Sequence, residues 1–161
     1  NSFMTPYRQY YAFDLVPTYW KELSKCMDTG KIVLLDMVKG EIDKGRDDLA
    51  EWVDKQTGFI ICNHVNATII GKYQEILQYV QNCGLYKEQA LRNWGSADIA
   101  DPWLIAAAAV NDYTIITAEV PSSGLSPKTP NKNAKIPDVA RVFGVRTENL
   151  YYMMRKLEIK I

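Results

Sequence analysis

The chain has 161 residues, 47% hydrophobic and 24% charged, which suits one globular domain with a substantial core. Its 19 basic and 19 acidic residues give a formal net charge of zero, which neither favours nor excludes an anionic partner. No apolar run reaches the roughly 18 residues of a membrane span, and a single histidine without a CxxC pair argues against a zinc site. We therefore expect a cytoplasmic protein with reduced thiols and no membrane partner.

The first half of the chain predicts helices that alternate with short strands. Apolar spacing and end signals predict helices at 17–29, 36–44, 47–56 and 65–81. The runs IVLL (32–35) and FIIC (59–62) predict buried strands, and Asp36 is expected to cap the helix after the first of them.

The second half continues the alternation. Its predicted elements are a helix at 86–94, a helix from Asp101 to Asn111, a strand at 113–117, a short helix in IPDVARVFG, an edge strand in VRT and a last helix capped by Thr147. Asp101 is expected as the N-cap, with Pro102 at the first helical position. Residues 121–135 form a Pro-, Ser- and Asn-rich loop whose composition suggests mobility. Strands that alternate with helices predict an α/β protein with a parallel sheet.

Three acids are expected near the ends of strands. Glu119 lies two residues past TIIT, Asp101 begins the helix before that strand, and Glu41 lies about one turn into the helix after IVLL. In a parallel sheet, sites form outside the carboxyl ends of the strands, so these side chains can converge. Convergent carboxylates repel unless a hard cation such as Mg²⁺ or Mn²⁺ joins them, and such an ion promotes phosphoryl displacement. The pattern therefore favours a nuclease.

Each of these residues also has an ordinary structural explanation. Asp101 is explained equally well as a plain helix cap, and Glu119 alone is as ambiguous. Asp98 is more typical of a loop or first-turn acid, and Glu41 alone is more typical of a solvated helix residue. His64, ahead of a helix, is more typical of a structural or exposed position than of a catalytic one. Spacing alone leaves both interpretations open.

Four stretches together resemble a known family. They are NSFMTPYRQYYAFDLVPTYWKEL, GKIVLLDMVKGEIDKGRDDLAEWV, ADPWLIAAAAVNDYTIITAEVP and KIPDVARVFGVRTENLYYMMRKL. In this order, and over nearly the whole chain, they resemble the PIN-like nuclease domain in the branch catalogued as DUF4411, a family of unknown function. The resemblance implies a single domain over residues 1–161, folded as a three-layer α/β/α sandwich around a parallel sheet. It also implies an acidic cluster that binds Mg²⁺ or Mn²⁺.

The resemblance assigns roles to individual residues. Glu41 matches the acid of the helix after the second strand, and Asp101 matches the aspartate that opens the helix before the fourth strand. Thr117-Ala118-Glu119 matches the Thr-x-Asp signature of the family, with glutamate in place of aspartate. By the resemblance, Glu41, Asp101 and Glu119 hold the metal ion, and Asp138, a further acid near the cluster, assists catalysis directly or through water. Asp98, Thr117 and Asn1 are secondary candidates, with Thr117 supporting the strand end.

The beginning of the chain departs from the family pattern. PIN-like domains start with an apolar strand that ends in an aspartate, and Asn1-Ser2-Phe3 resembles the residues just after that aspartate. The leading strand and its aspartate are therefore expected upstream of Asn1. Asp14 follows an aromatic run and does not match this motif.

The function implied by the resemblance is a metal-dependent endoribonuclease that hydrolyses RNA phosphodiesters with a metal-activated water. Such domains often act as toxins, so an antitoxin protein and a second copy of the chain are expected partners beside the RNA substrate. Lys128, Lys132 and Lys135 of the loop are candidate phosphate contacts, although a solvated connector explains them equally well. The alternatives are a non-catalytic PIN-like module that binds RNA or protein, and a DNA or flap nuclease, because an acidic site reads phosphates rather than bases.

Overall fold

The structure is a computed structural model and describes residues 3–161. Within this range, helices cover about half of the residues and the strands are short. The helices are α1 (Met4–Gln9), α2 (Pro17–Asp28), α3 (Asp36–Gly45), α4 (Asp48–Asp54), α5 (Ala67–Asn82), α6 (Glu88–Trp94), α7 (Asp101–Asn111), α8 (Ile136–Val142) and α9 (Leu150–Lys156). The strands are β1 (Val33–Leu35), β2 (Ile60–Cys62), β3 (Ile115–Ile116) and β4 (Thr147–Glu148). The protein is therefore mixed α/β, as the sequence predicts.

The chain divides into two compact units. The first unit comprises Asn1–Asn63 with Asn149–Ile161, and the second unit comprises His64–Glu148. Each unit contains one pair of parallel strands among the described residues: β1 with β2 in the first, and β3 with β4 in the second. The predicted parallel pairing is confirmed at this level, and the three-layer sandwich stays a prediction.

The first unit is built around β1 and β2. Val33 lies opposite Ile60 and Leu35 opposite Cys62. Leu34 and Leu35 are buried, whereas Ile60 and Ile61 are 49% and 46% exposed, so the expectation of a buried second strand is wrong. Among the described residues β2 pairs with β1 alone, and an edge strand leaves part of its surface uncovered.

An aromatic cluster forms much of the core of the first unit. The ring of Trp20 lies 4.3 Å from that of Phe13, 4.9 Å from that of Trp52 and 6.3 Å from that of Tyr7, centroid to centroid. Its indole N–H donates to the carbonyl of Tyr11 at 2.7 Å, which satisfies the one polar group of the ring. Tilted and edge-on ring pairs of this kind stabilise a core beyond simple burial. Helix α1, which brings Tyr7 into the cluster, was not predicted from the sequence.

The second unit packs α5 against α7. The side-chain oxygen of Asn66 caps α5 by accepting the N–H of Thr68 at 2.9 Å. The buried side chains Ile69, Ile76 and Val80 of α5 repeat at helical spacing, as predicted. On α7, residues 106–108 are buried alanines, and their small side chains let neighbouring elements approach closely.

Three helix starts differ from the sequence prediction. Asp36, expected as the cap of α3, is the first residue of that helix, and Leu35 holds the N-cap position. Asn149, rather than Thr147, caps α9 by accepting the N–H of Tyr152 at 2.9 Å, because Thr147 is part of β4. Asp101 is the first residue of α7, and Ala100 holds the N-cap position. An acid in the first turn still interacts favourably with the helix dipole.

Two bulk expectations can be compared with the structure. No helix within residues 3–161 is long and apolar enough to cross a membrane. The three cysteines are half-buried and are not joined in disulfides.

Candidate functional site

The carboxyl end of β3 fixes the position of Glu119. Thr117 is buried, and its N–H donates to the carbonyl of Glu148 at 2.9 Å, which continues the pairing with β4. Its Oγ1 accepts the N–H of Glu119 at 3.1 Å and closes a tight turn. Thr117 thus holds the strand end, in the supporting role that the resemblance implies for it.

Glu119 also anchors the start of α8. Its Oε2 accepts the N–H of Ile136, the first residue of that helix, at 2.7 Å. Lys135, at the N-cap position, supplies no side-chain cap, so this carboxylate satisfies one of the unpaired N–H groups of the helix start. The bond is charge-assisted and therefore stronger than one between neutral groups. Glu119 is otherwise exposed.

Asp138 ties the same helix to the preceding chain. It is the third residue of α8 and is only 5% exposed, an unusual degree of burial for a carboxylate. Both of its oxygens lie 3.1 Å from the N–H of Ser122, which they accept. Nearby, Nζ of Lys135 donates to the carbonyl of Val120 at 3.2 Å. These bonds close the loop at its base.

The lysine-containing loop, residues 121–135, is called the basic loop below. Its middle is tied to the segment before α6: Asn131 N–H donates to the carbonyl of Leu85 at 2.9 Å, and Lys87 N–H donates to the carbonyl of Asn131 at 2.8 Å. These bonds constrain the loop more than its composition suggests. Lys128 and Lys132 are exposed, and Lys135 is half-buried.

Two buried hydroxyl groups in the second unit have no hydrogen-bond partner among the described residues. They belong to Tyr86 and Ser122. Burial raises the pKa of the Tyr86 phenol above its ordinary value, and the negative charge of Asp138 raises it further. Tyr86 therefore stays protonated. Sequence patterns gave no indication of these groups, because their burial depends on tertiary packing.

Asp101 occupies the start of α7 and is half-buried, whereas Asp98 is exposed in the turn before it. α7 packs against both β3 and α8 and reaches β3 through only three residues. A helix joined so closely to the following strand starts on the side where that strand ends. Asp101 and Glu119 therefore belong to the same side of the second unit.

The remaining predicted residues lie elsewhere. Glu41 is half-buried on α3 in the first unit. Asn1 lies outside the described residues. His64 contacts the ring of Trp103 edge-on, with centroids 4.8 Å apart, which agrees with a structural role for the histidine.

The donor chemistry of these acids suits a hard cation, because Mg²⁺ and Mn²⁺ prefer carboxylate oxygens. Across residues 3–161, however, no three His, Cys, Asp or Glu side chains are grouped so that they could hold a metal ion. Glu119 and Asp138 each accept a backbone N–H instead. These acids therefore fit Mg²⁺ or Mn²⁺ in the chemical type of their donor atoms. Mg²⁺ often uses only one or two carboxylates, with water and phosphate as its other ligands.

A cleft next to these acids was missed by the sequence analysis. It has a volume of about 360 Å³, and its walls include Pro121, Pro137, Arg141, Val145 and Arg146. Four residues separate the two arginines along the chain, and only the turn after α8 brings both to one cleft. No sequence motif marks such a pair.

Comparison with known proteins gives a family. A family model described as a domain of unknown function, DUF4411, matches residues 1–161. No curated protein and no solved structure matches the chain significantly. Because the model covers the whole length, the chain belongs to the DUF4411 family.

Proposed function

We propose that the protein is a metal-dependent endoribonuclease of PIN-like type that hydrolyses RNA phosphodiesters. The supporting observation is that two acids from separate segments meet at the start of α8, just past the end of the parallel strand β3: Glu119 accepts the N–H of Ile136, and Asp138, in the first turn of α8, accepts the N–H of Ser122. Sites in parallel-sheet proteins form outside the carboxyl ends of the strands. The PIN-like, three-layer arrangement is part of the proposal and comes from the resemblance.

In this proposal Asp101 and Glu119 would hold Mg²⁺ or Mn²⁺ in the second unit, and Glu41 stays a ligand predicted from the sequence. When bound, the ion supplies a Lewis acid that stabilises the charge developing on the scissile phosphate. Glu119 retains acceptor capacity beyond its bond to Ile136, because a carboxylate offers about four lone-pair sites. Asp138 acts chiefly by holding Ser122 and so positioning the basic loop.

The proposal includes the biological setting that the resemblance implies. The protein would be the toxin of a toxin–antitoxin pair in the cytoplasm, bound and silenced by an antitoxin protein and able to form a homodimer.

A non-catalytic module that binds RNA or protein is the second candidate. It is favoured by the structural bonds that Glu119 and Asp138 make, and by the lack of a three-ligand group within the described range. The two candidates differ in whether RNA is cut or only bound.

Cleavage of single-stranded RNA by the purified chain is the direct test. We expect cleavage with Mg²⁺ or Mn²⁺, none after EDTA, and recovery when Mn²⁺ is restored. The electron paramagnetic resonance signal of Mn²⁺ reports metal binding without reference to activity. RNA that is bound but left intact would favour the non-catalytic module, and cleavage of DNA alone would favour the DNA nuclease alternative.

The basic loop gives a second prediction, on substrate capture. Replacing Lys128, Lys132 and Lys135 together with alanine should weaken binding of single-stranded RNA. It should also flatten the plot of log affinity against log salt by roughly 0.7 per lost phosphate contact. Binding is measured by fluorescence anisotropy over a salt series in EDTA.

The loop experiment needs two controls. A Lys128→Ala/Lys132→Ala variant leaves the Lys135 bond to Val120 intact and so separates charge from loop closure. The second control is a variant with alanine at Lys21, Lys55 and Lys160. It removes the same number of positive charges from exposed lysines of the first unit. If the loop variants keep the wild-type slope and affinity, the loop is only a connector.

A further inference from the structure

The cleft beside α8 combines positive charge with an apolar floor. Arg141 lies on the last turn of α8, and Arg146 lies just before β4. Gly144 connects them with a φ of +70°, a left-handed backbone conformation in which glycine avoids the steric cost of a side chain. This turn follows α8 and brings both arginine residues to the walls of one cleft of about 360 Å³.

The charge of the cleft is positive. Arg141 is exposed and forms no salt bridge with any residue that the structure describes, and its position in the last turn of α8 complements the helix dipole. Arg146 has a side chain that is 65% exposed, with Oε1 of Glu148 at 3.6 Å from its Nε. The two arginines give the walls of the cleft positive charge, and the carboxylate of Glu148 offsets part of it.

The end of α8 does not cancel this charge. The carbonyl of Ala140 accepts the N–H of Val145 at 2.9 Å, and that of Arg141 accepts the N–H of Gly144 at 3.3 Å. These bonds satisfy carbonyl groups that would otherwise face an anion at a helix C-terminus.

The floor of the cleft is apolar. Pro137 and Val145 are buried, and the ring of Pro121 adds a further apolar surface. Guanidinium groups bind phosphate through paired N–H donors, and apolar surfaces accommodate the sugar or base attached to it. The combination suits a nucleotide unit better than it suits a simple inorganic anion.

The cleft adjoins the candidate acids. Pro121 is two residues from Glu119, and Pro137 directly precedes Asp138. The bond between Ser122 and Asp138 holds these two walls together. We propose that this cleft binds a phosphodiester of single-stranded RNA next to the cleavage position, with Arg141 and Arg146 as its phosphate contacts. This inference rests on the proposed nuclease function and adds the residues that hold its substrate.

Binding to a six-nucleotide oligouridylate in EDTA tests the cleft without any cleavage. We expect amide shifts in ¹H–¹⁵N spectra at Arg141 and at residues 144–147. Arg141→Ala and Arg146→Ala should each weaken affinity about tenfold, as expected for loss of a charge-assisted contact. Glu148→Gln should strengthen it severalfold, because it removes the carboxylate that lies beside the Arg146 guanidinium. Arg92→Ala, an exposed arginine paired with Glu88 on α6, is the matched control and should bind as the wild type does.

The outcomes separate the cleft from the nuclease proposal. If the wild type cleaves RNA but the amide shifts lie elsewhere, or if both arginine variants keep the wild-type affinity, the cleft is not the RNA-binding site. The nuclease proposal then still stands. If RNA shifts the amide signals of the cleft but is not cleaved in Mg²⁺ or Mn²⁺, the cleft proposal is supported and the nuclease proposal is rejected. Shifts with inorganic phosphate but none with the oligouridylate would overturn the cleft as an RNA subsite.

Discussion

Replacing Asp101 with asparagine is expected to abolish cleavage of single-stranded RNA while the fold is retained. Asparagine has nearly the same shape, so α7 still begins at this position. The favourable interaction of the charge with the helix dipole, which is lost, is worth roughly 0.3–1 kcal/mol. The lost charge weakens the proposed cation site. Mutation of a residue that only supports a metal ligand typically lowers metal affinity or activity about 10–100-fold. Removal of a ligand charge itself should therefore reduce the cleavage rate at least about 100-fold.

Asp14→Asn is the matched control for this experiment. Asp14 is exposed, has no assigned role in the site, and carries the same charge on the same side chain. Its substitution should leave the cleavage rate close to that of the wild type. Rates are measured on labelled RNA under single-turnover conditions, and circular dichroism checks the fold. Wild-type cleavage by Asp101→Asn would remove Asp101 from the mechanism.

Replacing Asp138 with alanine should destabilise the second unit and loosen the base of the basic loop. The carboxylate is the acceptor for the N–H of Ser122, and its removal leaves that donor unpaired in a largely buried place. An unsatisfied buried donor costs about 1–3 kcal/mol, and the cavity left by the side chain adds to this. The free energy of unfolding, from urea titration, and the exchange rate of the Ser122 amide report the effect.

Asp138→Asn distinguishes a positioning role from a chemical one. The amide oxygen can still accept the Ser122 N–H, so most of the stability and the slow Ser122 exchange should return. If Asp138 acts by positioning, this variant also recovers most of the cleavage that alanine loses. If Asp138→Asn keeps the slow exchange of the Ser122 amide but loses as much cleavage activity as Asp101→Asn does, the charge of Asp138 itself is required. Asp14→Ala, at an exposed position, controls for loss of a surface acid.

Local patterns in the sequence predicted most of the helices and all four strand regions. The 3.6-residue spacing of Ile69, Ile76 and Val80 predicts α5, because a helix must bury one face. The β-branched and leucine-rich run at 32–35 predicts β1, and the Asp101-Pro102 pair predicts the start of α7 to within one residue. These features depend on neighbours in the chain, which a sequence displays directly. The order of the same stretches also predicted the family, which the match over residues 1–161 confirms.

Tertiary structure decided how the candidate residues are used. The bond from the Ile136 N–H to Glu119 joins residues 17 positions apart, and that from the Ser122 N–H to Asp138 joins residues 16 positions apart. No periodicity or cap signal encodes pairs at that separation, because they form only when α8 docks beside the end of β3. Thr147 lost its predicted capping role for the same reason: its pairing opposite Ile115 places it in β4, so Asn149 became the nearest side chain able to cap α9. The arginine cleft likewise exists only after the turn at Gly144 brings its walls together. The sequence by itself determined the local elements and the family, since local geometry follows from adjacent residues. The partners of each carboxylate and arginine depended on non-local packing.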